Sequence, residues 1–309
     1  MEIKNVTVLG AGLMGVGLAQ VFAKCGDINV TVRSRKVHDD PYAPIIKNLD
    51  ILLDNDALTE AEKNAVLRRI SFTDDMAEAV KNADFIIESL PEVMEIKQDT
   101  FRDLEALTRD DTIYATNTSV MSVTEIAQKC RKKDRVVGTH FWNPPFLIPL
   151  VEVVQAEGTS GEVVETCMDL LRKAGKKPVR CRKDVPGFIA NRLQHAIWRE
   201  ALSMVEKGIA DPATVDEALR YGPGLRWPTL GILENADMTG LDLTLNIHRY
   251  IFKHLESSDE PSQLLVDLVE KGEVGFKAGK GYQTWTPAQM EASNRRLREY
   301  LIKVTKDIE

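Results

Sequence analysis

Residues 6–15, VTVLGAGLMG, decide the fold of the N-terminal half of this 309-residue chain. β-Branched residues lead directly into glycines with the spacing GxGxxG, and an apolar helical pattern continues from there to Lys24. Gly10 permits a tight turn, Gly12 lets a ligand approach the backbone, and Gly15 lets the helix pack closely on the strand. The stretch therefore predicts a strand, a glycine turn and a helix whose free N–H groups bind a pyrophosphate.

The sequence on either side of this turn predicts an α/β protein with two domains. Short β-rich runs alternate with helical patterns as far as Cys181, which is typical of a doubly wound, Rossmann-type parallel sheet. Beyond Pro186-Gly187 the patterns are almost entirely helical. We expect a dinucleotide-binding domain over residues 1–184 and an all-helical domain over residues 185–309. The expected strands are residues 6–9, 29–32, 85–89, 112–116, 136–141, 150–154 and 178–181, with a helical segment over residues 44–69.

Composition and net charge limit the kinds of molecule that the protein is expected to bind. Hydrophobic residues make up 43% and charged residues 28% of the chain, which is typical of a soluble globular protein. The net charge of −7 disfavours nucleic acid or an anionic membrane as a partner, and no apolar run reaches the length of a membrane span. No signal peptide is predicted, and the four cysteines are too isolated for a disulfide framework or a metal site. We expect a cytoplasmic protein that acts on a small molecule.

The end of the second strand carries basic residues where an acid is usual. Sites for NAD place a carboxylate here, which accepts hydrogen bonds from the 2′-OH of the ribose. This chain has Arg33-Ser34-Arg35-Lys36 instead, and its next carboxylate is Asp39. Guanidinium groups pair well with phosphate, so Arg33, Ser34 and Arg35 are predicted to bind the 2′-phosphate of NADP, which is favoured over NAD. A solvated basic loop is the alternative.

Two polar segments follow strands in the second half of the sheet. They are Asn117-Thr118-Ser119 and residues 138–145, which include His140; Glu152 lies in the next strand. Oxidation of a secondary alcohol requires a base that accepts the hydroxyl proton as hydride leaves, and histidine suits this role near neutral pH. A carboxylate behind the ring fixes its tautomer and stabilises the imidazolium. These residues indicate alcohol oxidation, with Ser119 hydrogen-bonded to the substrate oxygen; a structural histidine is the alternative.

Five further motifs follow the glycine turn. They are ESLPE at residues 88–92, NTS at 117–119, HFWNPP at 140–145, PGFIANR at 186–192 and GFKAGKGY at 275–282. Taken in this order with the turn, they resemble the L-3-hydroxyacyl-CoA dehydrogenase family through both domains.

The resemblance implies roles for individual residues. His140 would be the general base and Glu152 its carboxylate partner, while Ser119 and Asn191 would orient the substrate. The helical domain is typically the dimerisation surface in this family, which implies a homodimer. The alternatives are a helix cap or bridge for Asn191 and a solvated helix residue for Lys97. Besides the glycines and the basic segment, the expected cofactor contacts are Leu13, Met14, Glu92, Lys97, Asn117, Asn143 and Lys277.

Two departures from the family pattern leave the substrate open. Members that act on CoA thioesters carry Ser and Lys on the helical segment after the second strand, whereas residues 47–56, KNLDILLDND, contain three aspartates and one lysine. Arg226 occupies a position that is usually uncharged in acyl-CoA enzymes and resembles a turn in relatives that oxidise free carboxylates, such as carnitine dehydrogenase and gulonate 3-dehydrogenase. Arg226 is expected either to bind a substrate carboxylate, with Trp227 as a pocket wall, or to stack on Trp227 at the surface.

Three hypotheses follow from the resemblance. The leading one is reversible NAD(P)-dependent oxidation of an (S)-3-hydroxyacyl substrate to its 3-oxo form. The second is the same chemistry on a small free hydroxy carboxylate without CoA. The third is a non-catalytic protein, like the lens crystallin that belongs to this family. The presence of His140, Glu152, Ser119 and Asn191 argues against the third.

Overall fold

The computed structural model describes residues 1–37 and 39–305. The chain forms two compact units. The N-terminal unit comprises Met1–Arg192 together with the residues from Arg296 onward, and the helical unit comprises Leu193–Arg295. This boundary lies later than the predicted one at residue 184, because the segment after the last strand is hydrogen-bonded to Glu152 of the N-terminal unit. The end of the last helix also belongs to the N-terminal unit, where Ile302 is buried in the core.

The N-terminal unit is built on one eight-stranded sheet with the order β3-β2-β1-β4-β5-β6-β7-β8. Strands β1 to β6 pair in parallel along this order, which reverses between β1 and β4. Doubly wound sheets bind ligands at the carboxyl ends of the strands at such a reversal. The strands are β1 Asn5–Leu9, β2 Asn29–Arg33, β3 Ile70–Thr73, β4 Phe85–Glu88, β5 Ile113–Thr116, β6 Val136–Phe141, β7 Leu150–Val154 and β8 Lys177–Cys181.

Helices connect these strands and form most of the rest of the described chain. The helices are α1 Leu13–Ala23, α2 Ala43–Leu53, α3 Glu60–Arg68, α4 Met76–Val80, α5 Met94–Leu104, α6 Val123–Ile126, α7 Gly161–Lys173, α8 Ala190–Glu206, α9 Pro212–Tyr221, α10 Pro223–Arg226, α11 Ile232–Thr239, α12 Leu241–Ile251, α13 Gln263–Glu270 and α14 Pro287–Thr305.

Strand β7 departs from the predicted all-parallel sheet. It pairs antiparallel with β6, and β8 pairs parallel with β7. The connection between β6 and β7, residues 142–149, contains no helix. A parallel crossover needs a dozen or more residues, usually including a helix, so the short connection returns the chain antiparallel.

Two apolar clusters cover the two faces of the sheet. All four residues of β4 and of β5 are buried, as expected for central parallel strands. On one face, the ring of Phe22 in α1 lies 5.8 Å from that of Phe85 and 6.0 Å from that of Phe141. Side chains alternate along a strand, so His140 points to the other face, where its ring lies 5.7 Å from Phe188.

The helical segment predicted over residues 44–69 is two helices. Asp56 adopts a positive φ of 53°, which ends the first helical region. Thr59 then begins α3 with a capping box, in which its side chain accepts from the N–H of Glu62 and the Glu62 side chain accepts from the N–H of Thr59. The four-residue strand β3 and the helix α4 were not predicted, because each is too short to show a clear periodicity.

Candidate active site

The glycine turn places the start of α1 beside the end of β4. Gly10 has a φ of 110°, and a Cβ there would lie 2.5 Å from the carbonyl oxygen of Ser89. A Cβ on Gly15 would lie 1.8 Å from the carbonyl oxygen of Gly10, so both positions require glycine. A Cβ on Gly12 would meet nothing within 4 Å, and no side chain caps α1. The open backbone and the uncapped N–H groups, including those of Leu13 and Met14, fit a dinucleotide pyrophosphate.

The predicted phosphate-binding residues lie next to this turn. The N–H of Gly10 donates to the carbonyl of Arg33 at 2.9 Å, which joins the turn to the end of β2. Arg33 is half-buried, and its buried Nε has no hydrogen-bond partner among the described residues. Ser34 donates its hydroxyl to the carbonyl of Lys36 at 3.0 Å, and Arg35 is exposed. The end of β2 therefore carries one guanidinium with a donor that is unused within the described residues, and a second that is exposed.

His140 and Glu152 form a buried pair across two antiparallel strands. They are directly opposite in the β6–β7 register, and His140 Nδ1 lies 2.8 Å from Glu152 Oε2. The histidine is 4% exposed and the glutamate is fully buried. The ring of Trp142 lies 5.6 Å from that of His140, and its Nε1–H donates to Glu152 Oε2 at 3.4 Å. Among the described residues Nε2 of His140 has no hydrogen-bond partner, so this nitrogen is available to a substrate.

The second oxygen of Glu152 holds the start of α8. Oε1 accepts hydrogen bonds from the N–H groups of Ile189 at 2.8 Å and Ala190 at 2.9 Å. Burial opposes ionisation of this carboxyl, but the hydrogen bonds from His140, Ala190 and Ile189 outweigh it and lower the pKa of Glu152. An ionised Glu152 stabilises the imidazolium that forms when His140 accepts a proton.

Ser119 and Asn191 are in direct contact. Asn191 donates its side-chain N–H to the carbonyl of Ser119 at 3.1 Å, and both residues are half-buried. Asn191 therefore bridges the end of β5 to the first turn of α8. The N–H of Ser119 donates to Glu92 Oε1 at 3.0 Å, so the backbone of this serine is fixed on both sides. Its hydroxyl makes no hydrogen bond within the described residues and is the group available to a substrate oxygen.

Lys97 is buried in a cluster of charged side chains after β4. It is 1% exposed, and its ammonium group donates to the buried carboxylate of Glu88 at 2.8 and 3.0 Å. Glu92 Oε2 lies 3.4 Å away and accepts the hydroxyl of Thr118 at 2.9 Å. Lys97 is therefore not a solvated helix residue; its ammonium group holds the loop after β4, and its contact with the cofactor stays a prediction. Glu92, with its side chain 42% exposed, is the member of this cluster that solvent and ligands reach.

Sequence reasoning missed Glu88. This carboxylate ends β4 and is fully buried; it accepts from Lys97, from the N–H of Leu90 at 3.0 Å and from the hydroxyl of Thr116. An acidic residue that ends an apolar strand, with a lysine on the following helix, was the available signal.

The predicted contacts Asn117 and Asn143 differ in their surroundings. Asn117 is buried and accepts the N–H of Phe141 at 2.9 Å, whereas Asn143 is exposed.

Three predicted residues belong to the helical unit. Arg226 ends α10 and is exposed, Trp227 follows it and is half-buried, and Lys277 is exposed. The cation–π contact of this unit is Arg220 over Tyr221, at 6.0 Å, and does not involve Trp227. The surface stacking considered for Arg226 is therefore not formed.

Two kinds of feature are absent from the described residues, 1–37 and 39–305. None of the helices in this range has the length and apolarity to cross a membrane. No group of three or more His, Cys, Asp or Glu side chains there is arranged to hold a metal ion.

Both domains match one sequence family. Residues 5–185 match "3-hydroxyacyl-CoA dehydrogenase, NAD binding domain", and residues 187–285 match "3-hydroxyacyl-CoA dehydrogenase, C-terminal domain". A 5-formyl-3-hydroxy-2-methylpyridine 4-carboxylate 5-dehydrogenase from Mesorhizobium japonicum is 33% identical over 307 residues, covering 99% of each chain. A probable 3-hydroxybutyryl-CoA dehydrogenase from Bacillus subtilis is 37% identical over 287 residues, covering 91% of this chain and 97% of the relative.

Solved structures give the same assignment. A 5-formyl-3-hydroxy-2-methylpyridine 4-carboxylic acid 5-dehydrogenase, described as an NAD⁺-dependent dismutase, superposes with a TM-score of 0.90 at 32% identity over all of both chains. An (S)-3-hydroxybutyryl-CoA dehydrogenase from Ralstonia eutropha superposes with a TM-score of 0.76 at 30% identity, covering 92% of this chain and all of the other. The predicted resemblance and the nicotinamide-binding fold are confirmed. The chain belongs to the 3-hydroxyacyl-CoA dehydrogenase family.

Proposed function

We propose that this chain catalyses the reversible oxidation of an (S)-3-hydroxyacyl substrate to its 3-oxo form with a nicotinamide cofactor. The observation that carries the proposal is the buried pair of His140 and Glu152, with 2.8 Å between Nδ1 and Oε2, in a member of this family. The contact between Ser119 and Asn191 provides polar groups for the substrate oxygens. The family is one of oxidoreductases. This chain has the base, its carboxylate partner and the polar substrate contacts that oxidation of an alcohol requires.

Each group has a defined part in the reaction. A nicotinamide cofactor held at the turn of Gly10, Gly12 and Gly15 would supply the hydride acceptor for the oxidative direction. Nε2 of His140 accepts the hydroxyl proton, and Glu152 holds the ring by Nδ1 and stabilises the resulting charge. The hydroxyl of Ser119 donates to the substrate oxygen. In the reverse direction His140 would return the proton to the substrate oxygen.

The test is a hydride-transfer assay over a panel of substrates. The purified chain is mixed with NAD or NADP and with short (S)-3-hydroxyacyl-CoA thioesters and free 3-hydroxy acids, and reduction of the cofactor is followed by absorbance. Turnover of the thioesters supports the proposal. Cofactor binding without turnover of any substrate in the panel would refute it and favour a non-catalytic role.

The second candidate is the same chemistry on a small free carboxylate. It is favoured by the full-length match, with a TM-score of 0.90, to an enzyme named for a pyridine carboxylate. The segment just after α2 also supports it, because the exposed carboxylates of Asp54 and Asp56 would repel the phosphates of CoA. Asp50 within α2 is neutralised by Lys63 at 2.6 Å. Arg226 is exposed and bidentate pairing would suit it to a carboxylate.

Replacing Arg226 with alanine separates the two substrate classes. If Arg226 binds a substrate carboxylate, Arg226→Ala raises KM for free acids and leaves thioester turnover unchanged. Arg220→Ala is the matched control, because Arg220 lies in the same unit and is engaged with Tyr221. Unchanged turnover of every accepted substrate in Arg226→Ala would refute the carboxylate role.

We infer that NADP binds more tightly than NAD. The support is Arg33 and Arg35 at the end of β2, together with the Nε of Arg33, which has no hydrogen-bond partner among the described residues. The relative of known structure with a TM-score of 0.90 is described as NAD⁺-dependent, so the inference distinguishes this chain from it. Titration of the protein with NADH and NADPH tests the inference. Tighter binding of NADH would overturn it.

We infer that the chain forms a homodimer through the helical unit. In Leu193–Arg295, all of which is described, no hydrophobic side chain is buried. Large apolar side chains are highly exposed instead, and such a surface is typical of an interface rather than of an isolated domain. The most exposed of them are Tyr221, Leu225, Leu233, Met238 and Tyr250.

A further inference from the structure

Lys176 carries a buried ammonium group that the proposed reaction does not use. It follows α7 and is 7% exposed. Its Nζ donates to the carbonyl oxygens of Pro145 and Ile148, the second at 3.0 Å. Within the described parts of the chain no carboxylate pairs with it, and the charge that acts on it is the like charge of Lys24, which follows α1. A buried cation bound only by carbonyl dipoles is unusual.

Both carbonyls belong to the connection between the two strands of the catalytic pair. Residues 142–149 join β6, which carries His140, to β7, which carries Glu152. The N–H of Lys177 also donates to the carbonyl of Pro149 at 2.9 Å, so the chain after α7 holds the connection at two places. The position of this connection therefore affects the positions of the two strand ends that carry His140 and Glu152.

The same connection packs on the helix that begins at the cofactor turn. A Cβ on Gly17 of α1 would lie 3.0 Å from Cδ and Cγ of Pro145. The backbone of α1 is thus in close contact with the proline whose carbonyl accepts from Lys176. Asn143, a predicted cofactor contact, lies two residues before this proline.

The ammonium group is costly to bury. Burial, with a smaller effect of Lys24, lowers the pKa of Lys176 to about 8. An uncharged side chain of similar length would fill the same space without this cost but would leave the carbonyls of Pro145 and Ile148 without their donor. The hydrogen bonds, and not the filling of space, are what lysine provides here.

We propose that Lys176 is a positioning residue, which fixes the β6–β7 connection against α1 and so sets the distance between the His140–Glu152 pair and the cofactor. The effect on catalysis rests on the function proposed above. The effect on cofactor binding does not rest on that function, because cofactor binding can be measured without a substrate.

The first test compares Lys176→Met, Lys176→Arg and Lys177→Met. Lys177 is the exposed neighbour and serves as the matched control. We expect Lys176→Met to bind the reduced cofactor several-fold more weakly and to lower kcat about 10- to 100-fold, because small displacements of reacting groups have effects of this size. Lys176→Arg should keep most of the wild-type cofactor affinity and kcat, and Lys177→Met should match the wild type in both. Wild-type affinity and kcat in Lys176→Met would overturn the proposal.

A second measurement decides the case even if Lys176→Met does not fold. Between pH 7 and about pH 9 the wild-type ammonium loses its proton, so its hydrogen bonds weaken and cofactor affinity should fall. Arginine keeps its charge in this range, so Lys176→Arg should show no such fall. Identical pH profiles for the two proteins would overturn the proposal. A wild type that binds cofactor but turns over no substrate would refute the proposed function, and the binding comparison would still test Lys176.

Discussion

At the scale of single residues, Glu152 connects two parts of the active site through separate oxygens. Oε2 accepts from His140, and Oε1 accepts from the N–H groups of Ile189 and Ala190. The helix start therefore stabilises the same negative charge that the imidazolium needs. Loss of this charge would weaken both the catalytic pair and the beginning of α8.

Glu152→Gln should destabilise the protein in a pH-dependent way. The pKa of Glu152 is lowered in the folded protein, so its stabilisation is present above the unfolded value near 4.5 and is lost as the pH falls through the lower folded value. We expect the free energy of unfolding at pH 7 to fall by about 1–3 kcal/mol. Urea unfolding at pH 7 and at about pH 3.5 measures this. A difference between variant and wild type that does not narrow at the acidic pH would contradict the assignment.

The residue scale also shows what the sequence could and could not supply. His140 and Glu152 were identified as a pair because their types and order suit alcohol oxidation. Glu88 was not identified as the buried partner of Lys97, because the sequence does not show whether a glutamate at the end of a strand is buried. Lys97 of α5 pairs with the fully buried Glu88 at 2.8 Å. The partners of a buried charge are decided by packing, which local sequence does not encode.

At the scale of elements, the antiparallel pairing of β6 and β7 creates the catalytic pair. Its register places His140 opposite Glu152, Gly138 opposite Val154 and Phe141 opposite Val151. Directly opposed side chains in such a pair lie close enough to interact. The predicted limits of both strands agree with the structure, but the parallel direction predicted for β7 was wrong. Direction depends on whether the connection can cross the sheet, and the proline-rich segment 142–149 gave no helical periodicity to decide it.

Gly138→Ala should destabilise this pair of strands. An added Cβ would lie 2.8 Å from both Val154 Cβ and Val123 Cγ2, so neighbouring groups must move. We expect a loss of about 1–3 kcal/mol in the free energy of unfolding. Gly161→Ala at the start of α7 is the matched control, because an added Cβ there meets nothing within 4 Å. If urea unfolding shows the two variants to be equally stable, the close approach at Gly138 is wrong.

At the scale of the whole molecule, the two units differ in how they bury apolar surface. The N-terminal unit contains both apolar clusters of the sheet, whereas Leu193–Arg295 contains no buried hydrophobic side chain. The sequence predicted the change from an α/β to a helical pattern. It did not predict that the end of α14 would join the N-terminal core, because a charged terminal helix carries no signal of its partner.

The homodimer inference predicts a measurable mass. Light scattering on the purified protein should give twice the 34.6 kDa of one chain. Leu233→Asp combined with Met238→Asp should shift the protein towards the single-chain mass, because both side chains are highly exposed on α11. Leu107→Asp, on the N-terminal unit, is the control and should remain dimeric. A wild type with the mass of one chain at micromolar concentration would rule out the homodimer.

The central claim is that His140 accepts the proton of the substrate hydroxyl while Glu152 holds the histidine ring in place. The most direct measurement is the single-turnover rate of hydride transfer for the wild type and His140→Gln, each saturated with cofactor. We predict unchanged cofactor binding and a rate lower by roughly 10²–10⁴-fold in the variant, the usual contribution of a general base. A variant that binds cofactor and transfers hydride at the wild-type rate would contradict the account.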